Sequence, residues 1–164
     1  MLCLVCGLPG SGKTTLARAF AGRFGWRHLN SDSVRSALDL RGHYAEADKQ
    51  RVYDALLGET AALLQAGENV VVDSTFYRED IRRPFVEAAR ATGTPVKWVE
   101  ITAPEAVVRE RLRRPRADSE AGWEVYRKIR AAFEPLPAGR LVLDSGRQPA
   151  EAMLDAMDQY LNHG

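Results

Sequence analysis

The residues Gly7-Leu8-Pro9-Gly10-Ser11-Gly12-Lys13-Thr14 fit the spacing G-x-x-x-x-G-K-[ST] in full. A short apolar run, Leu2 to Cys6, precedes them, and a helix-like pattern follows from Lys13. Strand, glycine loop and helix in that order turn successive backbone N–H groups and a helix N-terminus toward an anion. Glycines let the backbone curl there without Cβ clashes. An ammonium at Lys13 reaches the β- and γ-phosphates of a nucleoside triphosphate, and the Thr14 hydroxyl is a ligand for Mg2+. The expected nucleotide contacts are Gly7, Pro9, Gly10, Ser11, Gly12, Lys13, Thr14 and Thr15.

Two carboxylates stand where such a loop needs them. Asp73 closes the run Asn69-Val70-Val71-Val72-Asp73. At the C-terminal end of a strand beside the phosphate loop it can hold Mg2+ through water. The plainer alternative is a turn or helix cap, since Ser74 and Thr75 follow. Asp32 lies in Asn30-Ser31-Asp32-Ser33-Val34-Arg35, after a second strand-like segment. In open α/β sheets, ligands bind outside the strand C-termini. There a carboxylate can accept the proton of an attacking hydroxyl, while an arginine orients the acceptor. Asp32 and Arg35, three residues apart, would face one cleft from the first turn of a helix. Against this, Ser and Asp are ordinary N-cap residues.

A third group is basic. Between Arg109 and Arg116 lie arginines 109, 111, 113, 114 and 116, with Glu110 as the single acid. Phosphoryl transfer needs cations at the charge of the moving group, and arginine supplies a planar fork. Arg111, Arg114 and Arg116 are the candidates, Arg111 first because a helix would fix its position. A solvated arginine face is the alternative reading.

The elements that must position these groups follow from hydrophobic period. Strands are expected at Leu2–Cys6, Trp26–Asn30, Asn69–Asp73, Pro95–Thr102 and Arg140–Asp144, with Leu2–Cys6, Val70–Asp73 and Val96–Ile101 buried on both faces. Helices are expected at Thr14–Phe24, from Ser31, at Glu46–Gln65, Glu79–Ala91, Pro104 to about Arg113, Ser119–Phe133 and Pro149 to about Leu161. Pro84 inside Glu79–Ala91 marks either a break or a late start. Asp144-Ser145-Gly146 reads as a turn, with a place near the adenine as the alternative. Strands alternating with helices give parallel strands joined by crossovers, an α/β sandwich with helices on both faces.

The remaining composition excludes more than it selects. The chain has 164 residues, 45% hydrophobic and 27% charged, and a net charge of +1 from 23 basic and 22 acidic residues. That is one domain by size, with no global commitment to nucleic acid or membrane. No signal peptide or spanning segment is visible, so the expectation is a soluble, cytoplasmic chain. Cys3 and Cys6 would point to opposite faces of a strand, as small buried hydrophobes rather than a redox pair.

Taken together, GLPGSGKT at Gly7–Thr14, S-D-S-V-R at Ser31–Arg35, V-V-V-D-S-T-F at Val70–Phe76 and R-E-R-L-R-R-P-R from Arg109 resemble the P-loop kinases of the polynucleotide-kinase and zeta-toxin type. Phe133-Glu134-Pro135 and Leu141–Asp144 resemble the tail of that group. The resemblance implies a three-layer α/β/α fold with a five-stranded parallel sheet of order 2-3-1-4-5. It implies a single domain over residues 1–164 with an Arg-rich helical lid at about 109–125. It also implies an ATP site at Lys13 and Thr14, Asp32 as general base, Arg35 near the acceptor and Arg111 in the lid. The expected activity is ATP- and Mg2+-dependent transfer of the γ-phosphate to a hydroxyl, the favoured acceptor being a nucleic-acid 5′ end. A small-molecule kinase and a nucleotide-binding module without transfer activity are the alternatives.

Overall fold

Leu2–Cys6 forms the central strand, β1, and every one of its side chains is buried. Alternation sends Leu2, Leu4 and Cys6 into one apolar cluster and Cys3 and Val5 into the other. A strand buried on both faces needs a helix layer on each, and the rest of the chain supplies both. The computed structural model describes residues 1–114 and 122–163. After β1 the order is α1 (Lys13–Phe24), β2 (Arg27–Asn30), α2 (Ser31–Ala37), α3 (Glu46–Gln65), β3 (Val70–Asp73) and α4 (Glu79–Ala91). It continues with β4 (Val96–Thr102), α5 (Glu105–Arg113), α6 (Trp123–Ala131), β5 (Leu141–Asp144) and α7 (Ala150–Asn162).

The five strands form one parallel sheet in the order β2-β3-β1-β4-β5. Leu16, Ala17 and Phe20 of α1 and Met153, Leu154 and Met157 of α7 cover one face. Val34 of α2, Val52 and Leu56 of α3 and Phe85 of α4 cover the other. This is the three-layer α/β/α arrangement and the strand order that the resemblance implies. Register aligns the strand C-termini: Val5 sits opposite Asp73, and Asp73 opposite Asn30. The crevice beyond those ends is where an open α/β sheet takes its ligand.

The structure departs from the sequence reading in a few places. Trp26 lies outside β2, although it is buried against Phe20 edge-on at 5.5 Å. In β4 only Val99 and Ile101 are buried, and Val96, Lys97, Trp98 and Glu100 are half-covered. The layer of α2, α3 and α4 packs mainly over β1 and β3, so β4 lies at its margin. At that margin Glu100 pairs with Arg140 at 2.6 Å. Helix α4 runs unbroken through Pro84, forgoing only the hydrogen bond that a proline nitrogen cannot donate. Pro104 and Pro149 stand one residue before α5 and α7, as caps rather than first-turn residues. The helix expected from Ser119 begins at Trp123; residues 115–121, including Arg116 and the middle of the expected lid, lie outside the described residues. Among the described residues no helix is long and apolar enough to cross a membrane.

Cys3 and Cys6 are both fully buried, on opposite faces of the sheet. Burial pushes the Cys3 thiol up to about 12 and raises Cys6 further, so neither forms a thiolate at neutral pH.

Candidate active site

The loop from Gly7 to Gly12 joins β1 to α1 and has a backbone that only glycine fits comfortably at Gly7, Gly10 and Gly12, with φ of 150°, 77° and 93°. A Cβ on Gly7 would run into the carbonyl oxygen of Ile101 and meet Ser11 Oγ at 2.9 Å. The loop can therefore press against β4 only because position 7 has no side chain. Lys13 opens α1; the residue is 9% exposed and its ammonium donates to the carbonyl of Leu8 at 2.8 Å, across the loop it follows.

Pro9, Gly10, Gly12, Lys13, Thr14 and Thr15 line one side of a cavity of about 510 Å3. Gly7 and Ser11 do not; they line a smaller cavity of about 340 Å3 behind the loop, toward β4 and α5. Ser11 is buried there, its hydroxyl oxygen lacking a hydrogen bond while its carbonyl accepts from Ser145 Oγ at 2.5 Å.

Asp73 stands on the floor of the larger cavity and is completely buried. Its Oδ1 accepts from the Thr14 hydroxyl at 2.7 Å and from Asn30 Nδ2 at 2.7 Å, and its Oδ2 lies 2.5 Å from His28 Nε2. Asn30 Nδ2 also donates to Thr14 Oγ1 at 3.1 Å. Two oxygen-bearing side chains from different elements thus meet where the sequence places a divalent cation, and a hard cation takes such ligands. This geometry is neither the turn nor the helix cap that Asp73 could have been. Sequence reasoning passed over His28 and Asn30. The signal was present: they are two apart on β2 and so share its face, directly beside β3.

Asp32 and Arg35 both line the same cavity, from α2. The residue that caps α2 is Asn30, whose Oδ1 accepts from Ser33 N at 2.9 Å. Asp32 therefore sits inside the first turn, relieved of the capping role that its type suggested. Arg35 is buried, donates to the carbonyl of His43 at 2.6 Å, and lies 4.7 Å from the centre of the Tyr44 ring. The guanidinium fastens the segment after α2 while facing the cavity.

The arginines after β4 are placed differently. Arg111 does not line the larger cavity. Its Nη1 donates to Gly10 O at 3.1 Å and to Ser145 Oγ at 2.8 Å, and its Nη2 to Ser145 O at 3.0 Å. It ties α5 to the phosphate loop and to the turn after β5. Arg114 is exposed and paired with Glu110 at 3.2 Å, on the outside of α5. The segment Asp144-Ser145-Gly146 forms the expected turn, Gly146 N donating to Asp144 Oδ1 at 2.9 Å.

Comparison with known proteins places this architecture. The model of the AAA domain family, AAA_33, matches residues 2–136. An uncharacterized protein of Mycobacterium tuberculosis (strain H37Rv) is 29% identical over 159 residues, 88% of this chain, as is one of Mycobacterium bovis. The chain spans about one third of the length of these relatives, 32% in each. Among solved structures, a gluconokinase from Sinorhizobium meliloti is similar with a TM-score of 0.75 at 20% identity, covering 98% of this chain and 91% of that one. Kti12 of Chaetomium thermophilum, in complex with ADP-AlF3, gives 0.75 at 22%, covering 98% and 99%. An APS kinase of Mycobacterium tuberculosis, in complex with AMPPNP and APS, gives 0.71 at 19%, covering 98% and 96%.

Proposed function

The chain belongs to the AAA domain family, and from that premise we propose that it is an ATP-dependent kinase that phosphorylates the hydroxyl of a small molecule. The observation that carries this reading is the position of Asp32. It lines one cavity together with Lys13, Thr14 and Asp73, and its helix is capped by another residue. A module that only binds nucleotide has no use for a further carboxylate in the cavity that its phosphate loop lines. The similar structures that are named as kinases, and the nucleotides bound in the APS kinase and in Kti12, support it further.

The loop amides and Lys13 bind the triphosphate and draw charge from its β- and γ-phosphates. Thr14 and Asp73 are the residues that would hold Mg2+, with His28 and Asn30 orienting the Asp73 carboxylate by their hydrogen bonds. Bound there, the ion neutralises charge on the phosphates. Asp32 accepts the proton of the acceptor hydroxyl as its oxygen bonds to the γ-phosphorus. The bond from that phosphorus to the β–γ bridging oxygen breaks, and ADP leaves with the electron pair. Arg35 orients the acceptor beside Asp32. Arg111 holds the phosphate loop in shape, and Arg114, paired with Glu110 outside α5, takes no part in this scheme.

A walled cavity of about 510 Å3 is within the ordinary range for small-ligand sites. Arg35 is its one arginine among the described residues. That favours a small acceptor over the nucleic-acid 5′ end that the sequence suggested. Lys13→Ala tests the donor side: binding of a fluorescent ATP analogue should weaken by at least about tenfold, since a charged hydrogen bond to phosphate is worth about 1.5–3 kcal/mol. Undiminished binding would remove the phosphate-loop assignment.

A further inference from the structure

We infer that the acceptor is a small alcohol bearing an anionic group, a carboxylate or a phosphate ester, on a body with apolar surface; this deepens the kinase reading above and rests on it. The larger cavity has two helical walls beyond the phosphate loop. On α3, Lys49, Val52 and Tyr53 line it. Their spacing of three and four residues puts them on one helix face. On α6, Val125, Lys128 and Ile129 line it with the same spacing. Each wall therefore offers one ammonium beside two apolar or aromatic side chains. Such a pair of faces suits a molecule that is part apolar and part charged.

The charge inside the cavity has one sign in excess. Its charged lining residues are Lys13, Arg35, Lys49 and Lys128 against Asp32 and Asp73. Lys13 belongs to the triphosphate, Asp73 to the cation and Asp32 to the attacking hydroxyl. That leaves Arg35, Lys49 and Lys128 for the acceptor, with no further carboxylate among the described lining residues. Lys49 has a partner in Glu46 at 2.9 Å, but Glu46 is exposed and outside the cavity. The whole chain carries a net charge of only +1, so this local excess does not follow from composition. Cations lining a partly apolar, walled site select an anion, because a neutral ligand would leave their charge desolvated and unmatched.

The experiment is phosphate transfer from γ-labelled ATP to matched alcohols: glycerol, glycerate and glycerol 3-phosphate; glucose, gluconate and glucose 6-phosphate; and a 5′-OH oligonucleotide. The expected result is preference for a charged small alcohol over its neutral partner by about tenfold or more in kcat/KM, the worth of one charge-assisted hydrogen bond. The carboxylate and phosphate arms identify which anion is read. In Lys49→Gln and Lys128→Gln the KM for that acceptor should rise by about tenfold, with a much smaller change in the KM for ATP, and Lys49→Arg should recover most of the loss. Equal or better transfer to the neutral alcohols, transfer to the oligonucleotide alone, or acceptor KM values unmoved by both glutamine variants would overturn the inference. So would nucleotide binding without transfer to any charged alcohol of the set. Failure to bind the fluorescent ATP analogue would instead bring down the kinase reading, and this inference with it.

Discussion

Asp73 shows how much one buried carboxylate demands of its neighbours. It is fully buried and receives Thr14, Asn30 and His28 from three directions. Each partner comes from an element adjacent to β3, so the site exists only once β2, β3 and α1 are assembled. Asp73→Asn should therefore raise the Mg2+ concentration needed for half-maximal transfer, with partial recovery at high Mg2+, while analogue binding without Mg2+ changes little. Lost folding stability with unchanged Mg2+ dependence would leave Asp73 a purely structural role. At this scale the sequence disclosed types better than duties. In Asn30-Ser31-Asp32-Ser33 every side chain is an able cap. Asn30 takes that place because its amide is already drawn to Asp73 and Thr14, a pull that arises only in the folded sheet. His28 was one of three scattered histidines until β2 laid it beside Asp73.

Elements carry the next lesson. The bounds of β1, α3 and α4 were legible to the residue and those of β3 to within one, since each buries a full face or a regular stripe. The margins were harder: β4 carries an apolar run, yet only one of its faces is fully covered. Nothing local distinguishes a run under a helix layer from one at its edge. Arg111 illustrates the same limit. Its place on a helix after β4 was readable, but its contacts lie 101 and 34 residues away, at Gly10 and Ser145. Because it fastens the phosphate loop to the turn after β5, Arg111→Ala should loosen that loop. Loss of charge-assisted bonds worth about 1.5–3 kcal/mol should lower Tm by about 3–10 °C in a chain of this size. The KM for ATP should rise with it. A fall in kcat of about 100-fold with unchanged Tm and KM would instead make Arg111 a direct partner of the transferring phosphate.

For the molecule as a whole, the sheet order explains why the chemistry gathers in one place. With β1 between β3 and β4, the phosphate loop after β1 lies beside the Asp73 end of β3, and β2 next to β3 delivers Asp32 and Arg35 to the same crevice. The residues proposed for donor binding, for the cation and for proton acceptance thus converge from three strand ends of a parallel sheet. The most direct measurement of the account compares Asp32→Asn with the parent chain in melting temperature, ATP-analogue binding and label transfer from γ-labelled ATP to an acceptor alcohol. Asparagine keeps the size and most of the hydrogen-bonding capacity, Asn30 remains the cap, and the helix-dipole contribution given up is about 0.3–1 kcal/mol. The prediction is near-parental melting and analogue binding with transfer reduced about 100-fold or more, as removal of a general base requires. Transfer at the parental rate in Asp32→Asn would contradict it.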